Sequence, residues 1–487
     1  MDQVTIGDFE CIRSGLSSLP RADNHAPGDP VEPSLMVMVP GHRSALDPDR
    51  ALVVANRGMG KSFWAHALAD DTARRKAASS FPELGNVVVR IGFNASDRIA
   101  GIAPTPAALQ EALGRCGDPD TIWRSVLMRV AASEKVTGPD VAALTNRFAD
   151  LSLWVQSNGE RVDEILTRLD DRFLADGVKL VIVFDALDRL ANDWGTARRL
   201  TTALLKRAVA VRSYRALRLK LFMRRDQFED PVLFEFPDGS KIRNTRVELK
   251  WSNPDLYTLL FTRLEQAQVS AAALKSQRAR LTAREPMTAD PIVDRSRTLV
   301  NAIAGEFMGA DKKRGRVYTW LPLHLADAHV ETSPRTFLTA WREAALHLPA
   351  PVDRAVDHLG LLEGVRKASA DRLQELQEDY WWIRKALDPF RGQMVPMERS
   401  LVEMLWQRHN TVTSIRQDSQ GKGLGPVQIE NPTKAPESSL IEALNAIGVI
   451  EVRSNGKINV PDIFRVEAGI KRKGGVRPPR RVPPERG

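Results

Sequence analysis

Over residues 35–250 the chain alternates short apolar runs with longer stretches of helical spacing. The runs are ALVVA (51–55), NVVVRIGF (86–93), KLVIVFD (179–185) and LRLKLFMR (217–224). Each is nearly continuous in Val, Ile, Leu or Phe, which predicts strands buried on both faces of a parallel sheet. Between them, TPAALQEALGRC (105–116) and GERVDEILTRLDDRFLADG (159–177) space their apolar residues as amphipathic helices do. Strands alternating with helices predict a doubly wound α/β core.

Beyond residue 251 the pattern turns helical. NPDLYTLLFTRLEQAQ and SPRTFLTAWREAALHL open at Asn253-Pro254 and Ser333-Pro334, with proline in the first helical turn. A Leu- and Glu-rich helical stretch follows, in which Trp381 and Trp382 read as packing residues. MERSLVEMLWQRH and SSLIEALNAIG then form two amphipathic segments, followed by GVIEVRSNGKINV. Asn455-Gly456 lies between two alternating runs and predicts a hairpin, because both residues tolerate positive φ. Helix, helix, hairpin is the order of a winged helix-turn-helix.

A chain of 487 residues has room for about three domains. With 43% hydrophobic and 27% charged residues it reads as an ordinary folded protein. No apolar run approaches the roughly 18 to 20 residues that span a bilayer. The opening MDQVTIGDFECIR lacks the basic-then-apolar plan of a signal peptide. Cys11 and Cys116 show neither a pairing pattern nor metal-ligand spacing. These features predict a cytoplasmic, reduced protein without structural zinc or membrane attachment. The net charge of +9 is modest, but the last seventeen residues hold seven Lys or Arg against Glu485 alone. That Pro/Gly-rich tail is either a solvated terminus or an arm for polyanions.

The chemistry concentrates in ALVVANRGMGKS (51–62). A buried strand, a glycine-bearing loop and a helix opening on Lys-Ser form the spacing of a phosphate-binding loop, with Ala55 where the first glycine usually stands. Backbone N–H groups of Asn56, Arg57, Gly58, Met59, Gly60, Lys61, Ser62 and Phe63 are then available to cradle phosphates, helped by the helix N-terminus. Gly60 is the position where a side chain obstructs the ligand's approach, and Gly58 adds freedom mid-loop. Lys61 is placed to bridge β- and γ-phosphates and Ser62 to ligate Mg²⁺. In VIVFDALDRL, Asp185 ends a buried strand and is the second Mg²⁺ candidate, while Asp188 is placed to activate or orient water.

The pair GMGKS and FDALDR resembles the STAND and KAP branches of P-loop ATPases, relatives of AAA+ proteins. The likeness extends to bacterial ATPases with a helical lid and a C-terminal winged-helix-like segment. The pattern along the chain divides it into 1–34 loosely ordered lead-in, 35–250 P-loop core, 251–350 helical lid, 351–392 helical connector, 393–465 winged-helix-like domain and 466–487 basic flexible tail, and the resemblance implies an ATP- and Mg²⁺-dependent ATPase. It also implies a γ-phosphate reader at Arg224 or Arg225 at the end of LKLFMRRD, a lid arginine at Arg335, and a polar switch at Asn94. The alternatives are a strand-end arginine in solvent or in an ion pair, a water-facing helix-start arginine and a simple turn asparagine.

Three function classes compete. The first is a regulatory switch ATPase of a phage-defence or conflict system, working as a homo-oligomer or with a separate effector. The second is a DNA-binding AAA+-type ATPase of replication, origin or mobile-element function. A small-molecule kinase is disfavoured by the length and the trailing helical domains. SSLIEALNAIG contains no Lys or Arg, so nucleic acid is expected to meet the wing, through Arg453 and Lys457, and the basic tail.

Overall fold

The computed structural model describes residues 6–20, 31–98, 101–282, 291–430 and 434–474. The chain divides into two compact units, one of residues 1–322 with 331–364 and one of 323–330 with 365–487.

The first unit is built on a five-stranded parallel sheet. Its strands are β1 (Leu52–Ala55), β2 (Val87–Phe93), β3 (Lys179–Phe184), β4 (Leu217–Arg224) and β5 (Val247–Glu248), in the spatial order β2-β3-β4-β1-β5. The four apolar runs are the first four strands. The two-residue β5 carries too little pattern to be seen in the sequence. Successive residues of each run serve opposite faces. Leu52 and Val54, Ile182 and Phe184, and Leu219 and Leu221 enter one core with Trp123 and Phe93. Val53 and Ala55, Val181 and Val183, and Phe222 enter a second core with Trp64 and Phe81. Such two-sided burial is why the runs are continuous rather than alternating.

One of the charged residues within them is fully buried. Lys220 is 1% exposed in the middle of β4, and its ammonium donates to the carbonyls of Ala45, Asp47 and Arg50, each at 2.9 Å. Burial pushes its pKa down to about 7.

The lead-in, expected to be loosely ordered, holds the helix α1 (Ile6–Ser17). Phe9, Ile12 and Leu16 recur at helical spacing and are buried, so the segment folds despite the Pro- and Gly-rich residues after it. The P-loop helix α2 (Lys61–Ala69) follows β1 after a five-residue loop, 56–60. The helices α3 (Asn253–Gln266) and α4 (Pro334–Leu346) start where the Asn-Pro and Ser-Pro pairs predict. Ser252 and Asp255 close a reciprocal capping box on α3.

In the second unit α5 (Arg399–Arg408), α6 (Thr411–Lys422) and α7 (Pro436–Ala446) precede the antiparallel pair β6 (Glu451–Val452) and β7 (Ile458–Asn459). Three helices and a hairpin make a winged-helix-like module. The polar sequence of α6, which buries only Thr411, Val412 and Ile415, hid it from periodicity. Gly456 takes φ +78° in the turn. The exposed Glu442 of α7 pairs with Lys434, so this helix presents carboxylates as well as lacking basic residues. Of the expected flexible tail 466–487, residues 475–487 lie outside the described residues, whereas 466–474 are packed: Ala468 and Ile470 are buried, and Lys471–Arg472 pair in parallel with Met394–Val395. No helix among the described residues is long and apolar enough to cross a membrane.

Candidate phosphate and metal site

Ala55 ends β1 with its methyl buried in the core, and its partner in register is Arg224, the last residue of β4. The chain then turns through Gly58 at φ +82° and Gly60 at φ +100°. A Cβ on Gly60 would meet nothing closer than Trp64 Cδ1 at 3.9 Å. Within the protein itself, glycine is required there by backbone conformation rather than by crowding. Gly58 likewise holds a positive φ, so it sits in a defined turn rather than adding freedom to the loop.

Lys61 opens α2 and donates to the carbonyls of Ala55, at 3.0 Å, and Asn56, at 2.9 Å. Burial, with repulsion from Arg224, brings its pKa down to about 8, opposed by Asp185, Asp188 and Asp226. Ser62 hydrogen-bonds the carboxylate of Asp185, which is 4% exposed at the end of β3. Burial raises the Asp185 pKa, against the pull of Ser62 and Lys61. Ala186, next in the chain, holds φ +55°, an uncommon conformation for a residue with a side chain. That turn redirects the chain at the strand end and brings Asp188 back beside the site. Burial alone would raise the Asp188 carboxyl; the Arg224 guanidinium, with Lys61 and Arg189, holds it below the usual range instead.

Because β4 lies between β1 and β3, Arg224 stands between the two motifs. Its Nη1 meets Asp188 Oδ2 at 3.1 Å, and its Nε and Nη2 meet Asp226 at 3.1 and 3.2 Å. Arg225 turns elsewhere, with Nη2 on Glu248 at 3.0 Å and on Glu331 at 2.8 Å. Met59 is buried, and Phe63 packs edge-on against Trp64 at 5.6 Å, so both side chains serve the core. Asn94 Oδ1 accepts from Ser96 N at 3.3 Å, the geometry of a turn asparagine. Arg335 lies in the first turn of α4, two residues after Ser333, whose hydroxyl donates to the Gly58 carbonyl at 3.3 Å.

A serine hydroxyl beside a buried carboxylate suits a hard cation that also takes phosphate oxygens and water. Among the described residues no three His, Cys, Asp or Glu gather as a metal cage. The Ser62–Asp185 pair could hold Mg²⁺ arriving with a nucleotide.

Sequence reasoning missed Asp226, Glu248 and Glu331, and also the bracing of the loop from behind. Trp251 donates to the Met59 carbonyl at 3.0 Å, and its ring meets His42 edge-on at 4.9 Å. His42, fully buried, lies against Lys250 O at 3.0 Å through Nε2 and accepts from Trp64 Nε1 at 3.2 Å through Nδ1. One ring nitrogen donates and the other accepts, so the imidazole is neutral, and burial brings its pKa down to about 4.

Between about pH 6.5 and 4 the unfolded chain binds a proton at this position and the native chain does not, so acid destabilises the fold across that window. The integrated loss is about 3 kcal/mol and levels off below pH 4. Denaturant unfolding of wild type and His42→Phe at pH 7.5 and 4.5 measures it; the variant should lose less stability on acidification. Equal losses would remove His42 from the account.

No protein-family model matches the chain, and no curated protein matches it. Among solved structures, the chain is similar to the Aeropyrum pernix ORC2 protein in ADPNP–ADP complexes, with 12% identity, 92% of this chain and 95% of that one covered, and a TM-score of 0.38. It is similar to the Aeropyrum pernix ORC1 protein in complex with DNA, at 16% identity, coverage of 94% and 96%, and a TM-score of 0.32. A Walker-type ATPase of Pyrococcus abyssi matches at 12% identity, with 93% and 99% covered and a TM-score of 0.37.

Proposed function

We propose that this chain is a Mg²⁺-dependent P-loop ATPase whose nucleotide state works as a switch. The observation that supports it is the meeting of Lys61, the Ser62–Asp185 pair and the Asp188–Arg224 pair at the carboxyl ends of three adjacent strands. In this reading the N–H groups of residues 56–63 and Lys61 bind the phosphates, and Ser62 and Asp185 hold the ion. Asp188 accepts a proton from the attacking water or orients it, and Arg224 lies where γ-phosphate charge develops. Mg²⁺ supplies charge neutralisation at the phosphates. Arg335 reaches the nucleotide from the helical segment 251–350, so phosphate loss is felt by that segment as a lid.

The output is engagement of a partner: a second copy of the chain, a separate effector, or nucleic acid. A place in a bacterial phage-defence or conflict system is what the STAND and KAP resemblance implies. The DNA-binding alternative draws on the exposed Lys471, Arg472 and Lys473 leading into the basic tail. Because α7 offers carboxylates, contact would be with phosphates rather than base edges.

One purification with and without Mg·ATP tests both readings, recording hydrolysis, particle mass and bound nucleic acid. Hydrolysis with a nucleotide-dependent change in mass is the expected result. DNA binding that depends on ATP and falls steeply with salt would favour the second reading. A chain that neither binds nor hydrolyses ATP would refute the proposal.

A further inference from the structure

We propose that Glu331 is a positioning residue of the phosphate site, tying the P-loop to the start of α4 so that nucleotide occupancy and the placement of Arg335 are coupled; this rests on the ATPase reading above. Its side chain is 6% exposed, and both carboxylate oxygens are engaged. Oε2 accepts from Asn56 Nδ2 at 3.0 Å, across 275 residues of sequence. Oε1 accepts from Arg225 Nη2 at 2.8 Å and has Lys250 Nζ at 3.5 Å. Two residues on, Ser333 donates to the Gly58 carbonyl. The stretch 331–333 therefore grips the loop on both sides of Arg57, immediately before the helix that carries Arg335.

Two routes lead from this carboxylate into the site. Through Asn56 it reaches the carbonyl that holds the Lys61 ammonium at 2.9 Å. Through Arg225 it reaches the end of β4, where the neighbouring Arg224 pairs with Asp188. An apolar residue would pack this position without burying a charge, and buried ion pairs contribute little net stability. What the carboxylate adds is a fixed geometry between three chain segments. Moving Asn56 to admit phosphate then pulls on the α4 start, and moving α4 disturbs the loop.

The test is titration of full-length protein with Mg·ATP, alongside steady-state hydrolysis, for wild type, Glu331→Ala, Glu331→Gln, Asn56→Ala and the Glu331→Ala/Asn56→Ala double variant. Loss of a loop-positioning contact should weaken ATP binding and raise KM about tenfold in Glu331→Ala, with kcat changed less than about threefold. Glu331→Gln keeps an oxygen acceptor for Asn56 and should recover most of the affinity. The double variant should be no weaker than the poorer single one, because both remove the same contact. Wild type that binds ATP beside a Glu331→Ala that binds it within about twofold would overturn the positioning role alone, as would multiplying effects in the double variant. Should Glu331→Ala fail to fold, an Asn56→Ala protein indistinguishable from wild type overturns it equally. Absence of ATP binding in wild type would instead overturn the ATPase reading.

Discussion

Lys61→Ala is expected to weaken Mg·ATP binding by about a thousandfold and to abolish measurable hydrolysis. A charge-assisted contact to phosphate contributes about 1.5 to 3 kcal/mol by itself. The remainder comes from what the lysine leaves behind. Asp185, Asp188 and Asp226 all act on its ammonium, and without it they face the incoming phosphates with one fewer countercharge beside Arg224. Together these effects reach about 4 kcal/mol, or three decades of affinity. The variant also loses the two bonds from Nζ to Ala55 O and Asn56 O, so its melting temperature should be recorded beside the titration. Affinity within threefold of wild type in a folded variant would take Lys61 out of the phosphate contact.

Asp188→Asn should separate binding from chemistry. The side chain keeps its size and can still meet Arg224, but it no longer accepts a proton. Loss of a general base or water-orienting group slows turnover by about 10² to 10⁴. ATP affinity should remain near wild type, because Ser62 and Asp185, the proposed ligands of the ion, are untouched. The Arg224 guanidinium already keeps Asp188 ionised at neutral pH, so the wild-type residue is in its base form where the enzyme would work. Single-turnover hydrolysis with saturating ATP distinguishes the two steps. Unimpaired turnover would confine Asp188 to a structural ion pair with Arg224.

Four of the five strands, the P-loop and the Asp185 strand end were legible because each is a local signal: a continuous apolar run, a glycine spacing, an acid after buried residues. The wing was legible for the same reason, through Asn455-Gly456. Position in the sheet was not local. That β4 lies between β1 and β3, and so sets Arg224 against both motifs, depends on strand order, which no single run encodes. Glu331 and His42 belong to the same class, since their partners lie 275 and 208 residues away in Asn56 and Lys250. The helix α1 was missed for a different reason. Its apolar stripe of Phe9, Ile12 and Leu16 is regular, but the Pro, Gly and Asp residues that follow outweighed it in a compositional reading.

The contact from Trp251 to the Met59 carbonyl has a practical consequence. An indole in a hydrogen bond to the loop backbone, edge-on to a neutral imidazole, changes its emission when that bond or that ring moves. The protein thus carries an intrinsic fluorophore wired to its own P-loop. The spectral difference between wild type and Trp251→Phe isolates that signal from the other tryptophans, and loop rearrangement becomes visible in real time without any attached dye.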